Sequence, residues 1–112
     1  TVITNGQVWW EPPFVTMYWT PAQLLAHLTS NGAHVRPGDV FASGTVSGPD
    51  EHQFGSMLEL GWNGTRPMAV GDQTRIWLED GDEVTITATA PATTGGRIGL
   101  GEVRGRIAAA TA

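Results

Sequence analysis

The sequence predicts a mainly β fold, an antiparallel β-roll or sandwich carrying one short helix. Three observations predict it. Fifteen glycines and seven prolines in 112 residues cut the chain into short pieces. Val84, Ile86 and Ala88 alternate with Thr85, Thr87 and Thr89, the two-residue period of a half-buried strand. One segment, after Thr20, carries both the start and the stop signals of a helix. Short strands, frequent turns and a single helix fit an antiparallel sheet rather than alternating βαβ units.

Taken in order, Thr1 to Thr4 reads as a short strand stopped by the turn pair Asn5-Gly6. Gln7 to Trp10 pairs back as a hairpin until Glu11-Pro12-Pro13 ends it. Thr20 caps a helix over about residues 21 to 30. Pro21 suits its first position, Gln23 completes a capping box, and Leu24, Leu25 and Leu28 form a narrow apolar stripe. Asn31-Gly32 supplies the left-handed stop. Val35-Arg36-Pro37-Gly38-Asp39 then turns the chain into an expected strand over Val40 to Thr45. Ser56 to Trp62 reads as another strand, with Met57, Glu59 and Gly61 on one face and Ser56, Leu58, Leu60 and Trp62 on the other. Asn63-Gly64 signals a hairpin from which Arg66 to Val70 returns. Arg75 to Leu78 is a short strand before the turn Glu79-Asp80-Gly81-Asp82. After the alternating strand, Thr94-Gly95-Gly96 turns the chain into Arg97 to Ile107. No internal repeat or domain boundary interrupts residues 1–112.

Composition excludes several functions. The net charge is -5, and the six basic residues, all arginine, lie scattered at 36, 66, 75, 97, 104 and 106. No basic cluster offers itself to nucleic acid or an anionic membrane. There is no cysteine, hence no disulfide and no thiolate metal site, which fits a cytoplasmic protein. No apolar run approaches the roughly 20 residues that span a bilayer, and no signal-peptide pattern opens the chain. The chain starts at Thr1 with its first methionine at Met17, so the expectation is a part of something longer.

Two positions stand out as site candidates. Glu59 sits between two leucines; pattern alone reads it as a solvated residue on an exposed strand face, and the functional alternative is a carboxylate lining a pocket. Thr45 lies in Ser43-Gly44-Thr45-Val46-Ser47-Gly48-Pro49, whose glycines and hydroxyls suit close approach to a carboxylate ligand; the plain reading is a polar loop. Other features carry less. Gly99-Leu100-Gly101-Glu102-Val103-Arg104-Gly105 lacks dinucleotide-loop spacing. Asn63-Gly64-Thr65 reads as a turn rather than a glycosylation site. His27, His34 and His52 lack metal-ligand spacing, and Asp80, Asp82 and Glu83 do not continue into a calcium loop.

A family resemblance gathers these residues. Met17-Tyr18-Trp19-Thr20, Arg36-Pro37-Gly38-Asp39, Ser43-Gly44-Thr45-Val46-Ser47-Gly48-Pro49, Gly55-Ser56-Met57-Leu58-Glu59-Leu60-Gly61-Trp62, Gln73-Thr74-Arg75, Asp80-Gly81-Asp82-Glu83-Val84 and Arg97-Ile98-Gly99 occur in that order. The series, from about Met17 to Ile107, resembles the carboxy-terminal part of the fumarylacetoacetases, a branch of the fumarylacetoacetate hydrolase superfamily. The resemblance implies a β-rich roll, an active homodimer, and hydrolysis of a carbon–carbon bond that splits fumarylacetoacetate into fumarate and acetoacetate in tyrosine and phenylalanine breakdown. It implies a magnesium or calcium ion held by carboxylates, a histidine general base, and a glutamate that orients that histidine. Thr45 matches the substrate-contacting threonine and Glu59 the histidine-orienting glutamate, which makes Glu59 the expected catalytic residue and Thr45 the expected substrate-binding residue. The catalytic histidine and the metal ligands of such enzymes precede the matched region, so no metal ligand is expected in this chain. It is expected to be an incomplete catalytic domain that works with the missing amino-terminal segment and is inactive alone. The alternatives are a non-catalytic β-module for binding or oligomerisation, with Trp9, Trp10 and Trp19 at an interface, and another superfamily activity on a related oxo acid.

Overall fold

A computed structural model describes residues 1–111. Its architecture is mainly β, as the sequence predicts. Strands β1 (Val2–Thr4), β2 (Gln7–Trp10), β5 (Glu83–Pro91) and β6 (Arg97–Arg106) form an antiparallel sheet in the order β2-β1-β5-β6. Strands β3 (Met68–Val70) and β4 (Gln73–Arg75) form a separate antiparallel pair. Helix α1 (Pro21–Thr29) and the single turn α2 (Met57–Leu60) lie between, with short 3-10 turns at Phe14–Thr16 and Glu51–Gln53.

Local chemistry explains most of these elements. Asn5 and Gly6 both take positive φ, 49° and 79°, the conformation a two-residue hairpin turn needs, and Thr4 then pairs with Gln7. Thr4 also faces Val84, which places β1 between its hairpin partner and β5. In α1 the capping box is complete: Gln23 N–H donates to Thr20 Oγ1 at 3.3 Å, and Thr20 N–H donates to Gln23 Oε1 at 2.9 Å. Along β5 and β6 the register shifts between Thr87 and Thr89, opposite Leu100 and Gly101.

Two expected strands are absent and a third is displaced: in place of Arg75 to Leu78 the strand is Gln73–Arg75, and residues 76–78 form no strand because the Asp82 carboxylate draws Arg75 and the Glu79 N–H into a turn. Val40 to Thr45 is irregular, and Ser56 to Trp62 contains a helical turn in place of a strand. Ser56-Met57-Leu58-Glu59 carries the spacing of a capping box, and Ser56 Oγ accepts the Glu59 N–H at 3.2 Å; this cap outweighs a short hydrophobic alternation. Asn63-Gly64 consequently does not join two strands. It closes the turn after α2, where Trp62 and Asn63 are both left-handed with φ 48° and 54°. The return strand starts at Met68, and its partner is β4 rather than the preceding segment.

The buried apolar core is thin and consists of Trp10, Met68 and Val70, with Thr4, Thr85 and Asp82 buried beside them. Trp9 stacks on Trp10 with ring centroids 4.6 Å apart, and its Nε1 donates to the Ala69 carbonyl at 3.1 Å. Trp10 is therefore part of the core rather than an interface, while Trp19 is half exposed. Much else is left uncovered. Val15, Tyr18, Val40 and Val103 are largely exposed, and Leu25 and Leu28 of α1 are open to solvent. The accessible surface is 8344 Å² against roughly 5,900 Å² for a compact monomer of this mass. The radius of gyration is 16.8 Å against about 13 Å. Among the described residues, no helix is long and apolar enough to cross a membrane.

Asp82, set aside in the sequence as one acid in a turn, is the polar centre of the fold. Arg75 donates to both its oxygens, Nε to Oδ2 at 3.0 Å and Nη2 to Oδ1 at 3.1 Å. The Glu79 N–H donates to Oδ2 at 2.8 Å and Asn5 Nδ2 to Oδ1 at 2.8 Å. The Arg75 guanidinium first, then the Glu79 N–H and Asn5, hold this carboxyl well below its ordinary value of 3.8. A depressed folded value stabilises the fold in full above the unfolded value, and that stabilisation is lost as pH falls through about 4 toward the folded one. Asp82→Asn is expected to lower the thermal midpoint at pH 7 by about 5 °C or more. It should also flatten the loss of stability between roughly pH 5 and pH 2. Thermal unfolding at pH 7 checks the first, and urea unfolding followed across that acid range checks the second.

Candidate functional site

Both residues singled out by the resemblance belong to one cluster formed by residues 43–49 and 53–59. The irregular loop through Thr45 folds back on the segment before α2. Gly48 N–H donates to the Gln53 carbonyl at 3.0 Å, and Gly55 N–H donates to Ser47 Oγ at 3.1 Å. Gly55 permits the approach: a Cβ there would lie 2.1 Å from the Val46 carbonyl oxygen and 2.8 Å from the Thr45 methyl. The loop is braced from behind by Thr16, whose single hydroxyl proton is shared between the Pro13 carbonyl at 2.8 Å and the Ser47 carbonyl at 2.9 Å. The Glu11 N–H donates to the His52 carbonyl at 2.7 Å and ties the 3-10 turn to the end of β2. Arg66 and Glu51 form an ion pair across the same region.

Glu59 sits at the third position of α2. Its backbone N–H is taken by Ser56, and its carboxylate accepts from Ser47 Oγ to Oε2 at 2.5 Å. The side chain is exposed, and Ser47 is its one side-chain partner among the described residues. The strand expectation placed Glu59 on a sheet face. The structure instead puts it, exposed, on the outside of a loop-and-turn cluster that also carries Thr45, tied to the residue two positions beyond Thr45. Thr45 is exposed, and its hydroxyl has no hydrogen-bond partner among the described residues. A carboxylate oxygen without a partner among the described residues and an exposed hydroxyl thus belong to the same loop-and-turn cluster. Together they can accept from and donate to a polar ligand.

His27, His34 and His52 are exposed and do not join this cluster through a hydrogen bond. Among the described residues, no three histidines, aspartates or glutamates gather as a metal-holding group. The donor set for the divalent cation implied by the resemblance is thus not found among the described residues, and the buried Asp82 carboxylate is occupied by Arg75, Asn5 and the Glu79 N–H.

Sequence reasoning missed Ser47. It lay inside the quoted Ser-Gly-Thr-Val-Ser-Gly-Pro motif, but only the fold brings its hydroxyl to Glu59. The capping spacing Ser56-Met57-Leu58-Glu59 was the available signal for α2.

Residues 1–108 match the family described as "Fumarylacetoacetate (FAA) hydrolase C-terminal". Similar proteins include the fumarylacetoacetases of Homo sapiens, 53% identical over 95 residues, of Oryza sativa subsp. japonica, 49% over 94, and of Caenorhabditis elegans, 50% over 94. Each alignment covers 84% of this chain and 22% of the relative, so the chain spans about a fifth of the length of these proteins.

Gly55→Ala is expected to destabilise the chain by about 2 kcal/mol, because the Val46 carbonyl is backbone and must move. Gly105→Ala is a control for the loss of a glycine at an open position without a left-handed backbone. Urea unfolding of the two variants is the comparison.

Proposed function

Because this chain belongs to the fumarylacetoacetate hydrolase C-terminal family, we propose that it forms the carboxy-terminal part of a fumarylacetoacetase, with Glu59 and Thr45 as its contribution to the active site. The reaction is hydrolysis of the carbon–carbon bond of 4-fumarylacetoacetate to fumarate and acetoacetate, a step of tyrosine and phenylalanine breakdown.

The observation that carries the reading is the exposed Glu59 carboxylate, held at Oε2 by Ser47 with Oε1 left open. Cutting between a carbonyl and its neighbouring carbon requires a water to lose a proton near neutral pH as it attacks. An imidazole serves as that base when a carboxylate fixes its tautomer and stabilises the imidazolium. In this reading Oε1 of Glu59 accepts the N–H of an imidazole brought by a segment outside this chain. The base takes one water proton and returns it to the carbon leaving as an enolate; the other hydrogen stays on the water oxygen, which ends in the new carboxyl group, and passes to solvent as that acid ionises. Thr45, with an unpartnered hydroxyl, donates to a carboxylate or carbonyl oxygen of the substrate. The divalent cation finds no ligand set in these residues, and we assign it no step here. The uncovered apolar surface of Val15, Tyr18, Val40 and Val103 supports a chain that packs against the remainder of the enzyme and against a second copy.

Glu59→Gln in the complete enzyme is expected to lower kcat by about 10²-fold or more, since it keeps the shape but loses the charge that stabilises the imidazolium. The thermal midpoint should stay the same. Turnover of fumarylacetoacetate, read as loss of its absorbance, is the assay. Retained turnover would sink the reading. The isolated chain is expected to hydrolyse nothing.

A further inference from the structure

The two helical turns of this chain begin with the same device and finish it differently. At α1 the cap residue and the residue three positions on satisfy each other's N–H groups, Thr20 with Gln23. At α2 the spacing is repeated as Ser56 and Glu59, but only half the box is made. Ser56 Oγ takes the Glu59 N–H, while the Glu59 carboxylate, which a complete box would return to the Ser56 N–H, goes to Ser47 instead.

We propose that Ser47 is a positioning residue that diverts the Glu59 carboxylate out of the capping box and holds it toward the open side of the site. The inference rests on the reading of Glu59 given above and adds what fixes its direction. The hydroxyl is itself oriented. The Gly55 N–H occupies one acceptor lobe of Ser47 Oγ at 3.1 Å, which leaves the hydroxyl proton for Glu59 Oε2 at 2.5 Å, the length of a charge-assisted O–H···O⁻ bond. Ser47 is held in turn by Thr16 on its carbonyl, at 2.9 Å. Its backbone lies next to Val46, which is pressed against Gly55. One carboxylate oxygen is thereby fixed and the other presented. Supporting hydrogen bonds of this kind around an active group change activity by roughly 10- to 100-fold when removed.

Ser47→Ala frees the carboxylate to fall back onto the Ser56 N–H and complete the box. In the complete enzyme we expect kcat to drop about 10-fold, KM to stay within about twofold, and the thermal midpoint to hold within about 3 °C, because the Glu59 bond lost at Ser47 is replaced at the cap and the Gly55 N–H is the one group left without its acceptor. A crystal structure of the variant is expected to show a Glu59 oxygen at hydrogen-bond distance from the Ser56 nitrogen. Run beside Glu59→Gln, the pair separates two failures. If Glu59→Gln keeps its turnover, the functional reading fails and this inference with it. If Glu59→Gln is inactive while Ser47→Ala turns over like the unmodified enzyme, only the positioning role is overturned. A fall in thermal midpoint well beyond 3 °C accompanying the fall in kcat would make Ser47 a structural residue and overturn the inference equally.

Discussion

The arrangement depends on one buried carboxylate. Asp82 receives two hydrogen bonds from Arg75 at the end of β4, one from Asn5 in the β1–β2 turn and one from the backbone of the turn that leads into β5. Asn5 returns the favour to the same region by accepting the Glu83 N–H at 2.9 Å. The two sheets have no shared strand, and only three apolar side chains are buried among the described residues. In so thin a core, a directional polar junction fixes geometry that hydrophobic burial leaves loose. Its four acceptor sites are filled, which is the condition under which a desolvated charge is tolerated.

The candidate site uses the same strategy without regular structure. Residues 40–48 form neither helix nor strand, so no ladder of backbone bonds fixes Thr45. Close backbone approach at Gly55, the Gly48–Gln53 bond and the Thr16 brace take that role. A carboxylate placed at the first turn of a helix is ordinarily spent on the helix itself. Here it remains available because a neighbouring hydroxyl competes for it.

What was legible in the sequence was what short-range chemistry decides. Asn5-Gly6, the Thr20-Pro21-Gln23 start and the Val84–Thr89 alternation each report a local conformation, and each element stands where it was expected, although on β5 it is Thr85 that is buried while Ile86 and Ala88 of the apolar face are exposed. The errors fell where two local signals competed. Ser56 to Trp62 offers both an alternation of apolar residues and a cap, and over so few residues a single capped turn wins. Val40 to Thr45 has apolar residues but no partner strand among the described residues to pair with. Asp82 escaped notice because its partners, Asn5 and Arg75, are remote or separated by a turn. Thr45 and Glu59 were found through family resemblance, since a lone acid on an apolar segment is otherwise an unremarkable surface group. Ser47 could be found only from geometry.

The register shift opposite Thr87 and Thr89 has a further effect at the margin of the sheet. β6 is exposed along its whole length and borders no other strand on its outer side among the described residues. A straight ten-residue border of that kind would be a template for runaway strand addition. The irregularity at Leu100 and Gly101 divides it into two shorter stretches, so neither is a ten-residue docking rail for another strand.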